Sequence, residues 1–190
     1  MRLTPIVLCA AFSVCVSSAF AQEIRHVDAH EHGHGKLNIS IDGNSLLLEL
    51  EAPGYDLVGF EHEAETAEEK TAMTDALDKL NSFNALFVLP EAAQCSVVSV
   101  QTNLVDEEEE LDHGHSSNGA EHEEHHAEFS ALYELTCANI GELTQIEFPY
   151  FTEFKNAEEL EVQLVTPSTA LKDEVSRSAP LLKLAAAARN

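Results

Sequence analysis

The ten histidines of this 190-residue chain are gathered into three places. His26, His30, His32 and His34 fall in one short stretch, His62 stands between Glu61 and Glu63, and His113, His115, His122, His125 and His126 lie in a run crowded with glutamate. Neutral imidazole is the commonest protein ligand for zinc, and H-x-H spacing lets two rings converge from one side of an extended segment. The stretch DAHEHGHG, from Asp28 to Gly35, therefore reads as part of a metal site. The carboxylates of Asp28, Glu31, Glu51 and Glu61 are candidates to orient the rings by accepting from the imidazole N–H that faces away from an ion. Imidazole also suits nickel and copper(II), but copper(I) carriers lean on thioether sulfur, and Met73 is the only methionine beyond Met1. Zinc is the expected ion.

Two other chemistries compete. His122-Glu123-Glu124-His125-His126 satisfies H-E-x-x-H, the pattern by which a zincin mounts two zinc ligands and a general base on one helix. Here it lies in a His/Glu tract where the match arises easily, and Ser116-Ser117-Asn118-Gly119 before it does not read as helix. Imidazoles beside carboxylates also titrate near neutrality, which would suit a pH-responsive binding protein, but the sequence offers no two-state element for them to bias. The acidic run Asp106 to Glu110 lacks the Gly turn and alternating ligands of a calcium loop.

The elements that must position these residues start after a leader. Arg2, an apolar run from Ile6 to Val16 and Ala19-Phe20-Ala21 make residues 1–21 a secretory signal peptide, cleaved after Ala21. No later segment is long and apolar enough for a membrane anchor. The net charge of −24 becomes −25 when Arg2 leaves, a surface that repels nucleic acid and attracts cations. Cys9 and Cys15 leave too, so Cys95 and Cys137 remain; in an oxidising compartment they most simply form a disulfide. The alternative, a pair of thiolate ligands, lacks Cys-x-x-Cys spacing.

Leu37, Ile39 and Ile41 alternate, Asp42-Gly43 intervenes, and Leu46, Leu48 and Leu50 alternate again, which predicts a β-hairpin. A turn at Asp42-Gly43 would set Ile39 opposite Leu46, Leu37 opposite Leu48, Lys36 opposite Glu49 and His34 opposite Glu51. The histidines have the opposite parity to the core positions and fall on the water side, unless Gly33 or Gly35 turns the chain. Thr66 with Glu69 is a capping box, and Met73, Ala76, Leu77, Leu80 and Phe83 recur at helical spacing, giving one main helix over about 67–82. Strands are expected over 96–105, 131–137, 143–148 and 160–165, with a last short one near Leu181 to Leu184. Phe148, Tyr150, Phe151 and Phe154 are expected to cluster. Residues 106–128 lack apolar periodicity and form a disordered His/Glu-rich loop. The class is α+β, one domain over 22–190 with a mainly antiparallel β-sheet.

The order of HEHGHGKLNIS, a hairpin, APGYDLVGFEHEAET, a His/Asp/Glu-rich loop and HAEFSALYELTC resembles the ZrgA family of zinc-regulated periplasmic zinc-uptake proteins. The most specific parts are His30 to Gly33, Gly59 to His62, and the stretch from His126 through Phe129 and Tyr133 to Cys137. The resemblance implies a zinc-binding protein of the periplasm that works beside an ABC-type zinc importer, with that importer's periplasmic binding component as partner. It also implies His30, His32, His34, His62 and His126 as zinc ligands and His26, His113, His115, His122 and His125 as an accessory set. Deleting Asp112 to Glu124 should therefore leave the thermal transition and the tightest zinc site intact while calorimetry counts fewer ions bound; loss of the tightest site would make the loop primary.

Overall fold

The computed structural model describes residues 31–107 and 126–184. The expected signal peptide and most of the expected loop, with His26, Asp28, His30, His113, His115, His122 and His125, lie outside those residues.

The hairpin forms from β1 (His34–Asp42) and β2 (Ser45–Pro53). Its turn is Gly43-Asn44, not Asp42-Gly43: Asp42 pairs with Ser45, Ile39 with Leu48, Leu37 with Leu50 and Lys36 with Glu51. Gly43 has φ +57°, and a positive φ at the first turn position only is the II′ arrangement, whose twist suits the flanking strands. Each expected pairing is displaced by two residues. Side chains alternate with a period of two, so Leu37, Ile39, Ile41, Leu46, Leu48 and Leu50 still share one buried face.

Further strands follow: β3 (Cys95–Glu107), β4 (His126–Cys137), β5 (Gln145–Glu147), β6 (Glu159–Val165), β7 (Ala170–Ser176) and β8 (Leu181–Lys183). Six of them make one sheet in the order β3-β4-β2-β1-β6-β7, while β5 and β8 pair separately. The main sheet is antiparallel except at β1–β6, where the strands run parallel. Residues 106–107 and 126–128, expected in the loop, extend the β3–β4 ladder instead, and β7 was without an apolar alternation to announce it.

One face of the sheet is covered by α1 (Gly54–Val58), α2 (Ala67–Leu80), α3 (Phe83–Leu86) and α4 (Tyr150–Glu153). The capping box is complete: Glu69 N–H donates to Thr66 Oγ1, and the Glu69 carboxylate accepts from the Thr66 N–H. Met73, Ala76 and Leu80 turn inward, and the buried Tyr133 hydroxyl donates to the Leu80 carbonyl at 2.8 Å, tying α2 to β4. Phe87 meets Tyr133 and Phe148 edge-on at 5.5 and 5.6 Å, and Phe148, Tyr150, Phe151 and Phe154 are all buried, as their clustering in sequence suggested.

Cys95 and Cys137 face each other across β3–β4 and are joined as a disulfide, which removes them as thiolate ligands. The bridge closes a loop of 42 residues in separation, worth about 3–4 kcal/mol in the chain-entropy account. Replacing both cysteines by serine should lower unfolding free energy by about that amount, measured by denaturant titration. Unfolded, unreduced protein lacking residues 1–21, and with them Cys9 and Cys15, should show no reactive thiol.

Candidate metal centre

The described histidines gather at one end of the main sheet. There the chain enters β1 through a turn in which His34 N–H donates to the Glu31 carbonyl at 3.1 Å and Gly33 takes φ +88°. A positive φ at the third residue is the type II pattern, which favours glycine. Gly33 thus turns the chain just ahead of the strand. Its carbonyl accepts from Glu158 and Glu159 N–H at 2.9 and 2.8 Å, which docks the turn on the start of β6. Its N–H donates to Asp56 Oδ1 at 2.6 Å.

A second segment arrives through Gly59, which ends α1 with φ +87° and donates to the Tyr55 carbonyl. Phe60, Glu61 and His62 follow, and Ala127 N–H donates to the Glu61 carbonyl at 3.0 Å, joining this segment to the start of β4. Gly54 permits the crossing: a Cβ there would lie 2.8 Å from both the Phe60 and Ala127 carbonyl oxygens. Three segments distant in sequence, around residues 32, 61 and 127, therefore meet in space.

Each described imidazole has a ring contact or an acidic neighbour. His32 stacks on Tyr55 with centroids 4.5 Å apart and brings Nε2 to 3.1 Å from Glu61 Oε1. The two differ in exposure: the His32 side chain is 56% accessible, Glu61 only 12%. His34 lies between Glu159, 3.6 Å from Nδ1, and Glu31, 4.0 Å from Nε2. His62 stacks on Phe60 at 4.9 Å, and its Nδ1 lies 2.9 Å from the Glu63 carbonyl. A carbonyl can only accept, so Nδ1 carries a proton, and Nε2 lies 3.9 Å from Glu69 Oε1. Among the described residues no three ligating side chains converge on a single point. His126 opens β4 opposite Glu107.

The expected pairing of His34 with Glu51 does not form, because the two-residue shift of the hairpin puts Glu51 opposite Lys36; on the other edge of β1, His34 stands opposite Glu159 of β6. Glu31 and Glu61 do approach rings; among the described residues Glu51 approaches none. Sequence reasoning also passed over Tyr55, Asp56, Glu69 and Glu159. Glu69 was visible only as a capping residue, and Glu159 requires a parallel pairing across more than a hundred residues. Asp56 sat beside Pro53-Gly54, where a break was expected and α1 formed.

Asp56 is 1% exposed, and its Oδ2 has no hydrogen-bond partner among the described residues. Burial pushes its pKa up to about 6, opposed by the Gly33 N–H and by His32 and His34 and assisted by the Glu61 charge. Nearby, the Tyr150 hydroxyl is also buried without a hydrogen-bond partner, and its pKa is raised by burial and by Asp56.

Imidazoles lodged among carboxylates at one end of a sheet, on a chain of net charge −24, are the chemistry of a divalent-cation binder. The model of the ZrgA family of zinc uptake proteins matches residues 29–184, and the chain belongs to that family. The family is one of uptake and not of catalysis. The zincin pattern fails on structure as well: its second histidine, His126, begins a strand, whereas the pattern requires a helix through both. No match was found among curated proteins.

A raised carboxyl pKa has a definite sign in stability. The contribution of protonated Asp56 is fully present below the unfolded value near 3.8 and is lost as pH rises through about 6, a change of about 3 kcal/mol. In zinc-free protein, Asp56→Asn should accordingly become more stable relative to the parent as pH goes from about 4 to about 7, measured by denaturant titration at each pH.

Proposed function

We propose that this chain is a periplasmic zinc-binding protein that captures the ion and passes it to the periplasmic binding component of an ABC-type zinc importer. The carrying observation is that the His32–His34 turn and the distant His62 segment lie at the same end of the sheet, with His32 stacked on Tyr55, His62 stacked on Phe60 and carboxylates beside each ring. In this reading His30, His32, His34 and His62 hold one zinc ion, with His126 joining from the start of β4. His26 and the loop histidines His113, His115, His122 and His125 are a weaker accessory set that gathers ions and releases them.

Binding needs no bond chemistry. With Nδ1–H engaged by a carbonyl, Nε2 is the atom His62 would offer an ion, and the Glu61 carboxylate beside His32 orients that ring. Exposure of these rings, His62 at 62% and His34 at 42%, leaves them accessible to an incoming ion and to a receiving protein. The disulfide supports an oxidising compartment. No helix among the described residues is long and apolar enough to cross a membrane.

Zinc competes with protons for imidazole, so affinity should fall as pH drops through about 6.5. Replacing His32 and His62 together by alanine should weaken the tightest site by about tenfold or more, the scale on which even supporting residues act. Replacing His113 and His115 should change stoichiometry and leave that site within about twofold. Calorimetric titration of both double variants separates the outcomes: equal losses, or none from His32 and His62, would place the ordered site elsewhere.

A further inference from the structure

Among the described residues, Asp56 is the only charged side chain in the buried class. Its Oδ1 is used by the Gly33 N–H, its Oδ2 by nothing, and no lysine or arginine among those residues pairs with it. An isolated carboxylate in such a position costs folding free energy, since lost hydration is not replaced. Fold architecture does not require the charge. An asparagine of the same shape would still accept from Gly33 through its own Oδ1 and hold the turn. The negative charge therefore has a use outside the apo fold.

That use lies next door. Gly33, the residue bonded to Asp56, is flanked by His32 and His34, and Glu61 stands against His32. We propose that Asp56 is the buried counter-charge of the zinc site, fixed behind the histidine turn so that the ion meets a negative charge already in place. The proposal rests on the zinc-site reading above. A carboxylate withdrawn from water attracts a dication more strongly than an exposed one, because less solvent screens it. It also needs no rearrangement when the ion arrives, being held by the peptide of the turn that presents two of the rings. Without a cation Asp56 and Glu61 repel each other, and the upward displacement of the Asp56 pKa includes that repulsion. A bound dication would relieve it.

Three variants of the exported chain test this with zinc ion alone, by competition calorimetry against a chelator at pH 7.5, together with denaturant unfolding of the metal-free proteins. Asp56→Asn removes the charge and keeps the acceptor for Gly33; Asp56→Ala removes both; the His32→Ala/His62→Ala double variant reports whether the site is where we place it. The expected result is opposite signs for Asp56→Asn: zinc binds at least tenfold more weakly, while metal-free stability equals or exceeds the parent. Asp56→Ala should lose more affinity than Asp56→Asn. If Asp56→Asn binds zinc within twofold of the parent while the histidine double variant loses affinity, the site stands and the counter-charge is wrong. If Asp56→Asn loses metal-free stability along with affinity, Asp56 is a structural residue and the proposal falls. A histidine double variant with undiminished affinity would overturn both readings.

Discussion

The Gly33 peptide donates to Asp56 and accepts from Glu158 and Glu159, and the histidine-bearing end of the sheet is built around it. Gly33, through its N–H and its carbonyl, thereby fixes the turn carrying His32 and His34 against both the helical layer and the neighbouring strand. Gly35 extends the same constraint: a Cβ there would lie 2.8 Å from Leu160 Cδ2 and 3.0 Å from the Glu51 carbonyl. Backbone packed this closely on both sides leaves little room for the turn to drift, so the rings project from a rigid base although they are themselves accessible. Preorganisation of this kind lowers the ordering cost of binding.

Much of the architecture was legible in the sequence because it rests on local rules. The hairpin faces followed from alternation of leucine and isoleucine, and α2 from Thr66, Glu69 and the spacing of Met73, Ala76 and Leu80. Cys95 and Cys137 were correctly joined from compartment and number alone. The hairpin register escaped because Asp42-Gly43 and Gly43-Asn44 are both acceptable turns, and a shift of two leaves every face unchanged. The parallel contact of β1 with β6 escaped because nothing local encodes it. With it went Glu159 as neighbour of His34.

The site divides in the same way. Histidine is conspicuous by type, so His32, His34 and His62 could be singled out, and Glu31 and Glu61 by adjacency. Whether a glutamate touches a ring depends on register and strand order: the shifted hairpin put Glu51 opposite Lys36, and the β1–β6 pairing brought Glu159 to His34. Asp56 is the sharpest case. In an acidic chain one aspartate carries no signal, and only its burial and the idle Oδ2 distinguish it.

The β3–β4 pair is fastened by a covalent bridge at one end and continues its ladder to Glu107 and His126 at the other. The chain therefore leaves β3 and re-enters β4 at two residues that are already paired, so the register of this ladder is held from both of its ends.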